Sequence, residues 1–204
     1  MIRVEQDGAL WTITIDRPEK ANSLTKTMLT DLDAAFARAG AEGAKAVILT
    51  GTGRVFSAGA DLDEARAGLA TDPVWDRLSS RVADAPCLTI CAMNGTLAGG
   101  AMGMALACDL RISVASAKVF YPVMKLGFLP QPADPARLVA LVGPARAKMI
   151  LMGGVKVEAE EARQWGLIDR IVAPEALIAE ARALCADVLV ADAAHVTGIK
   201  RMIG

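Results

Sequence analysis

Residues 85–111 read APCLTICAMNGTLAGGAMGMALACDLR, and no charged residue occurs between Asp84 and Asp109. A run this apolar can be a membrane span, a buried strand followed by a buried helix, or the wall of an apolar binding site. The Asn94-Gly95 turn signal and the Gly99-Gly100 pair cut it into pieces too short to cross a bilayer. Cys87 to Met93 is rich in strand-compatible residues, whereas Ala101 to Cys108 has helix formers and no proline. The order is therefore buried strand, tight glycine turn, and buried helix starting near Gly100. The first N–H groups of such a helix have no internal partner and sit at the positive end of its dipole. They can receive a partial or full negative charge. The plainer reading is that the glycines only let two backbones pack closely.

Working towards the N-terminus, Ala46 to Thr50 is an unbroken apolar strand, as in a sheet covered on both faces. Before it, Leu24, Met28, Leu32 and Ala35 recur at helical spacing up to Gly40. Ile2 to Glu5 and Leu10 to Ile15 alternate around Asp7-Gly8, which predicts a β-hairpin ended by Arg17-Pro18. Strands reached through helices imply repeated ββα or βαβ units.

After the strand, residues 51–62 read GTGRVFSAGADL. Gly51 and Gly53 hint at a dinucleotide fingerprint, but the third glycine is missing and Phe56 is bulky where the helix should begin. Ser57 is not in a G-x-S-x-G elbow, and the one histidine, His195, is remote, so a serine-hydrolase triad is disfavoured. Asp61 and Glu64 have capping-box spacing, which suits helix initiation better than acid–base work.

Composition narrows the remaining classes. The 204 residues suit one domain with a full core, with no internal repeat or linker. A balance of 22 Lys+Arg against 23 Asp+Glu argues against nucleic acid or an anionic membrane as partner. The opening MIRVEQDG does not read as a signal peptide, and Cys87, Cys91, Cys108 and Cys185 show no CxxC spacing. Reduced, buried thiols in a cytoplasmic protein are expected. The single histidine argues against a protein-ligated metal.

GRVFSAGADLDE followed by NGTLAGGAMGMALACDLRIS resembles the crotonase (enoyl-CoA hydratase/isomerase) superfamily. The resemblance runs in order over nearly the whole chain, including Arg17-Pro18, Asn22-Ser23-Leu24, Tyr121-Pro122 and Trp165-Gly166-Leu167. It implies an α/β fold, a ββα spiral with buried parallel sheets flanked by helices. It also implies acyl-coenzyme A thioester substrates and no cofactor beyond that coenzyme A. Two backbone N–H groups of the family hold an enolate-like oxyanion, and by position these belong to Ala60 and Gly100. The coenzyme A contacts implied lie in the Arg17 to Leu24 loop, with Lys20 towards phosphate and Ser23 nearby, and at Ala58, Asp61 and Leu62. A trimer-based homo-oligomer is the family's pattern. Relatives continue beyond Gly204 into further helices, so the helical tail from about residue 174 is expected to be shortened.

The chain also departs from the family. Hydratases carry catalytic glutamates at two positions that here are Gly103 and Val123, and neither residue can move a proton. After Pro130, where relatives have a glycine cluster, this chain has Gln131-Pro132-Ala133-Asp134. Asp134 is then a candidate acid or base, with helix capping before Pro135 as the alternative. Tyr121 is a second candidate proton carrier, with core packing as its alternative. The expectation is an acyl-CoA enzyme with doubtful hydratase activity, or an inactive acyl-CoA-binding scaffold subunit. The rest reads as helices at Pro135–Val142, Ala145–Met152, Ala159–Trp165 and from Leu177 to Val188, with Leu167–Val172 extended.

Overall fold

The computed structural model describes residues 1–203. The N-terminal hairpin is β1 (Ile2–Asp7) against β2 (Leu10–Ile15), antiparallel and in unbroken register. Helix α1 (Lys26–Ala41) starts where Thr25 Oγ1 accepts the Met28 N–H at 3.2 Å. Its buried positions, Met28, Leu29, Leu32, Ala35, Phe36 and Ala39, form one stripe at helical period. Strands β3 (Ala46–Gly51) and β4 (Val55–Ser57) lead to a short α2 (Leu62–Arg66) and then α3 (Val74–Ala83). The apolar run at residue 85 resolves into β5 (Leu88–Met93), β6 (Thr96–Ala98) and α4 (Met102–Ala107), entered through a 3-10 turn at Gly99–Ala101.

The same pattern repeats with β7 (Leu110–Val114), β8 (Lys118–Phe120), α5 (Val123–Leu126) and α6 (Asp134–Leu151). Gly143, at φ 78° and ψ 165°, breaks α6 at the expected Gly143-Pro144 step. There follow β9 (Val157–Glu158), α7 (Ala159–Gln164) and β10 (Arg170–Val172). The long helix expected from Leu177 to Val188 is interrupted instead, as α8 (Leu177–Leu184) and α9 (Ala186–Val190), and α10 (Ala193–Ile203) follows.

Two sheets result. One has six strands in the order β1-β2-β3-β5-β7-β10, parallel from β2 onward. The other has four, β4-β6-β8-β9, with β9 antiparallel. The three central turns, β3–β4, β5–β6 and β7–β8, each contribute one strand to each sheet and then a helix, which is the expected ββα spiral.

Successive turns are fastened by side-chain amides, a buried one at Asn22 and a half-buried one at Asn94. Asn94 Oδ1 accepts the Gly51 N–H at 3.1 Å while its Nδ2 donates to Gly53 O and Val55 O. Asn22 Nδ2 donates to Thr52 O and Val55 O at 2.8 and 2.7 Å. Gly95 passes so close beneath this loop that a Cβ there would lie 2.0 Å from Arg54 O. The loop before β4 is thus held from both sides, and β4 aims the next turn. At the far end, Lys200 Nζ on α10 donates to Cys87 O at 2.9 Å and pairs with Asp109 at 2.8 Å. No helix among the described residues is long and apolar enough to cross a membrane.

Candidate active site

The turn after β4 begins at Ser57, whose buried hydroxyl donates to Asn22 O at 2.8 Å and accepts the Gly59 N–H at 3.2 Å. Gly59 adopts φ 89°, which side-chain-bearing residues rarely do. The next residue is bracketed by two bonds, Leu24 N–H to Gly59 O at 2.7 Å and Asp61 N–H to Leu24 O at 2.9 Å. In a parallel bridge this pattern turns the middle residue's own N–H to the opposite side. The Ala60 N–H therefore faces away from Leu24 and has no partner among the described residues.

The second turn follows β6. Gly99, at φ 61°, bends the chain into the 3-10 turn that opens α4. The Gly100 N–H lies in this first turn and likewise has no partner among the described residues. The two turns pack backbone to backbone. A Cβ on Gly59 would lie 2.9 Å from Ala98 O and 3.3 Å from Gly100 N. Both free donors thus come from one junction that only glycine permits.

A cavity of about 140 Å³ opens over this junction, with Ala60 and Gly100 on its lining. Trp75, Tyr121 and Val123 also line it. The Trp75 ring stands 3.3 Å from where a Cβ on Gly100 would be, and its Nε1 donates to Leu69 O at 2.8 Å. Around the lining, Leu62 and Leu129 are 73% and 87% exposed, with Leu126 and Phe128 partly so. A larger cavity of about 580 Å³ lies elsewhere, between α10 and the starts of β5 and β7. Its lining lacks the paired glycine-turn donors, so size does not mark the site here.

The other sequence candidates fall into distinct positions. Lys20 is exposed on the 3-10 turn Pro18–Lys20, away from the cavity lining and with no ion-pair partner among the described residues. Ser23 is buried, its hydroxyl 3.3 Å from Arg17 Nη1. Asp61 pairs with the same Arg17 nitrogen at 2.8 Å and caps α2 by accepting the Asp63 and Glu64 N–H groups. The Arg17 guanidinium holds the Asp61 carboxyl below the usual carboxylate range. Glu64 does not complete a reciprocal box, because its carboxylate takes the Lys26 N–H at 2.7 Å. Arg17 thus organises Ser23 and Asp61 around it, while Ala58 and Leu62 stand exposed where the cavity lining meets solvent.

Asp134 is the first residue of α6, and its side chain makes no capping hydrogen bond, so the capping alternative is not realised. Its carboxyl is 1% exposed, and neither oxygen has a hydrogen-bond partner. It lies against α4 at Gly103, where an added Cβ would be 2.8 Å from Oδ1 and 3.3 Å from Oδ2. Burial pushes the Asp134 carboxyl up to about 7. The Tyr121 hydroxyl, close by but short of a formed hydrogen bond, and the Arg137 guanidinium pull the other way; Asp76 adds a small upward push. Burial, with Asp134 beside it, also raises the Tyr121 phenol above its ordinary range. Tyr121 Oη accepts the Gln131 N–H at 3.3 Å.

Sequence reading does not single out Trp75, Asp76 or Arg137. Trp75 is visible in principle, since Val74, Trp75, Leu78 and Val82 form a helical stripe. Arg137 sits three residues after Asp134, a helical-neighbour spacing.

A model of the enoyl-CoA hydratase/isomerase family matches residues 5–203 of the chain. A Thermus thermophilus protein provisionally named an enoyl-CoA hydratase is 37% identical over 197 residues, 92% of this chain and 77% of its own length. An enoyl-CoA hydratase from Mycobacterium marinum superposes with a TM-score of 0.90 at 30% identity, covering 99% of this chain and 98% of the other. One from Bacillus anthracis gives 0.91 at 30% identity, over 99% and 81%.

Proposed function

The chain belongs to the enoyl-CoA hydratase/isomerase family, and within it we propose that the cavity takes an acyl-coenzyme A thioester and stabilises an enolate-like oxyanion on its carbonyl. The observation that carries this reading is the pair of free N–H groups of Ala60 and Gly100 at one glycine junction on the cavity lining. Removing a proton from the α-carbon places negative charge on the thioester oxygen. Two fixed donors in a water-poor site lower that barrier by roughly 3 kcal/mol each. Lys20, exposed and with no ion-pair partner among the described residues, is the cation assigned to a coenzyme A phosphate in this reading. The lining supports an acyl group of short reach in the cavity, with longer chains passing over Leu62 and Leu129.

Hydration by a pair of glutamates has no counterpart here, since Gly103 and Val123 stand at those positions. Enolate chemistry that shuttles one proton, such as double-bond isomerisation, fits the donor pair better. The test is direct: titrate butyryl-CoA onto the protein, and follow exchange of its α-protons in D₂O. Binding with exchange supports the reading; no binding at millimolar ligand ends it. A second reading, an acyl-CoA-binding subunit without chemistry, is favoured by one observation: no carboxylate among the described residues lines the cavity. Tight binding without exchange or turnover on any acyl chain would select it.

A further inference from the structure

We infer that Tyr121 and Asp134 form the proton-handling pair of this site, with the Asp134 carboxyl delivered from α6 into the room that Gly103 leaves beside α4. The inference rests on the acyl-CoA reading above and names the group that reading leaves open.

The volume comes first. A side chain at position 103 would begin 2.8 Å from Asp134 Oδ1, so the carboxyl would have to move to admit it. Gly103 is three residues beyond Gly100 on the same short helical path, one turn from the oxyanion donor. The carboxyl thus occupies the space in which a side chain on α4 would begin, brought there by the neighbouring helix. Gly103 is a precondition of that placement.

The second observation is the carboxyl's surroundings. Asp134 is 1% exposed with both oxygens unpartnered, an arrangement that costs stability and has no structural return through capping. The charged and titratable groups facing it are Asp76 from α3, Tyr121 from the β8–α5 connection and Arg137 from α6. Their net effect leaves burial dominant, so the group changes charge near neutral pH. That is the range in which an acid–base group works in both directions.

Tyr121 connects this carboxyl to the cavity. Tyr121 lines the cavity, whereas Asp134 does not. The Gln131 N–H occupies one lone pair of the Tyr121 oxygen at 3.3 Å, which leaves the hydroxyl proton free to turn towards the nearby carboxylate. The step balances without a co-reactant. The substrate α-carbon gives its proton to Tyr121 Oη as the phenol's own proton passes to Asp134 Oδ. The C–H electron pair becomes the enolate double bond, and the carbonyl pair moves onto the oxygen held by Ala60 and Gly100. Return of the proton to the γ-carbon of an unsaturated chain completes an isomerisation. Tyr121 is the catalytic residue of the pair, and Asp134 is the buried carrier behind it.

The experiment measures butyryl-CoA binding by calorimetry and α-proton exchange by mass spectrometry, from pH 5 to 9, for the wild type and variants. Asp134→Asn and Tyr121→Phe should keep binding and lower exchange by about 10²–10⁴-fold. The wild-type inflection near pH 7 should vanish in Asp134→Asn. The double variant Gly103→Glu, Asp134→Ala, which moves the acid onto α4, should regain exchange and does not depend on Asp134→Asn folding well. Exchange in either single variant equal to wild type overturns the pair, as does wild-type binding with no exchange at any pH. Failure of the wild type to bind butyryl-CoA brings down the acyl-CoA reading itself, a result distinguishable from those two.

Discussion

Replacing Asp134 by Asn should change how stability depends on pH, independently of any activity. The carboxyl titrates at about 7 in the folded chain, against 3.8 for an unburied aspartate. Between those values the folded protein holds a proton that the unfolded chain has released. Unfolding therefore gives up a proton, and stability falls as pH rises through the window. At ~1.4 kcal/mol for each tenfold, the whole span corresponds to a cost on the order of 4 kcal/mol for charging the buried group, complete above pH 7. About two-thirds of that lies between pH 5 and pH 8, roughly 3 kcal/mol.

The asparagine of the Asp134→Asn variant carries no charge at any of these pH values. Its unpartnered amide still costs about 1–3 kcal/mol, but by the same amount throughout. Urea unfolding of both proteins at intervals from pH 5 to pH 8.5 isolates the effect as a difference, because all other titrating groups are shared. The variant should gain on the wild type as pH rises, by roughly 3 kcal/mol across the range. Parallel curves would show that the carboxyl is solvated or hydrogen-bonded in solution, and would remove the physical basis for its role as carrier.

Gly100→Pro deletes one of the two proposed oxyanion donors and should cost ~10²–10³ in turnover, whereas Gly100→Ala keeps the N–H and asks the Trp75 ring, 3.3 Å from the new Cβ, only to give slightly. Equal activities in the two variants would sink the oxyanion assignment. Gly59→Ala places a Cβ 2.9 Å from Ala98 O at φ 89°, so it should separate the turns, with a Tm lowered by several degrees and acyl-CoA affinity lost. Crotonyl-CoA hydration, followed by loss of the enoyl-thioester absorbance, should run far below the ceiling of about 10⁸–10⁹ M⁻¹s⁻¹ in kcat/KM; a rate near it would mean that other groups supply the protons. Val190, Met202 and Ile203 are more than four-fifths exposed on α9 and α10, apolar surface that association would cover. Light scattering should give a multiple of 21.3 kDa, and a monodisperse monomer at micromolar concentration would refute this.

Elements with a strong local signal are legible without coordinates. The hairpin at Asp7-Gly8, the stripe of α1, the buried strand at Ala46 and the break at Gly143-Pro144 lie where turn chemistry and periodicity put them. Helix α3 escapes the sequence reading although its stripe is clear, and Leu177 to Val188 reads as one helix where the chain breaks at Cys185. Helix boundaries of that kind depend on tertiary contacts, such as Lys200 reaching Cys87 and Asp109, which no local pattern encodes. At the site, the free donors can be anticipated because they follow from glycine and from the start of a helix. The bonding of Ser23 and Asp61 to Arg17 cannot, since it joins residues up to 44 positions apart. Asp134 can be named as a candidate from its loop, yet its contact with Gly103 is a matter of how α6 packs on α4.

That contact bears on how a site of this kind changes its reaction while keeping its substrate. The two N–H donors belong to the backbone, and the glycines at 59 and 99 fix them through φ values and close approach. Side-chain substitution nearby can crowd or support these donors but cannot replace them. The proton carrier is under no such constraint. It has only to bring an acid or base to a small volume beside the donors, and that volume is bordered by α4 and α6 together. A glycine at 103 empties the volume from one side, and an aspartate at 134 fills it from the other. The direction of arrival also decides what the acid can reach: in the proposed pair Asp134 meets the cavity only through Tyr121, which lines it, so one proton would move along one line. Water addition needs an acid and a base on a water molecule at once, and a single line of transfer does not provide both. The proposed pair would therefore limit the chemistry to shuttling a proton on and off an enolate, with the acyl chain determining where the proton returns.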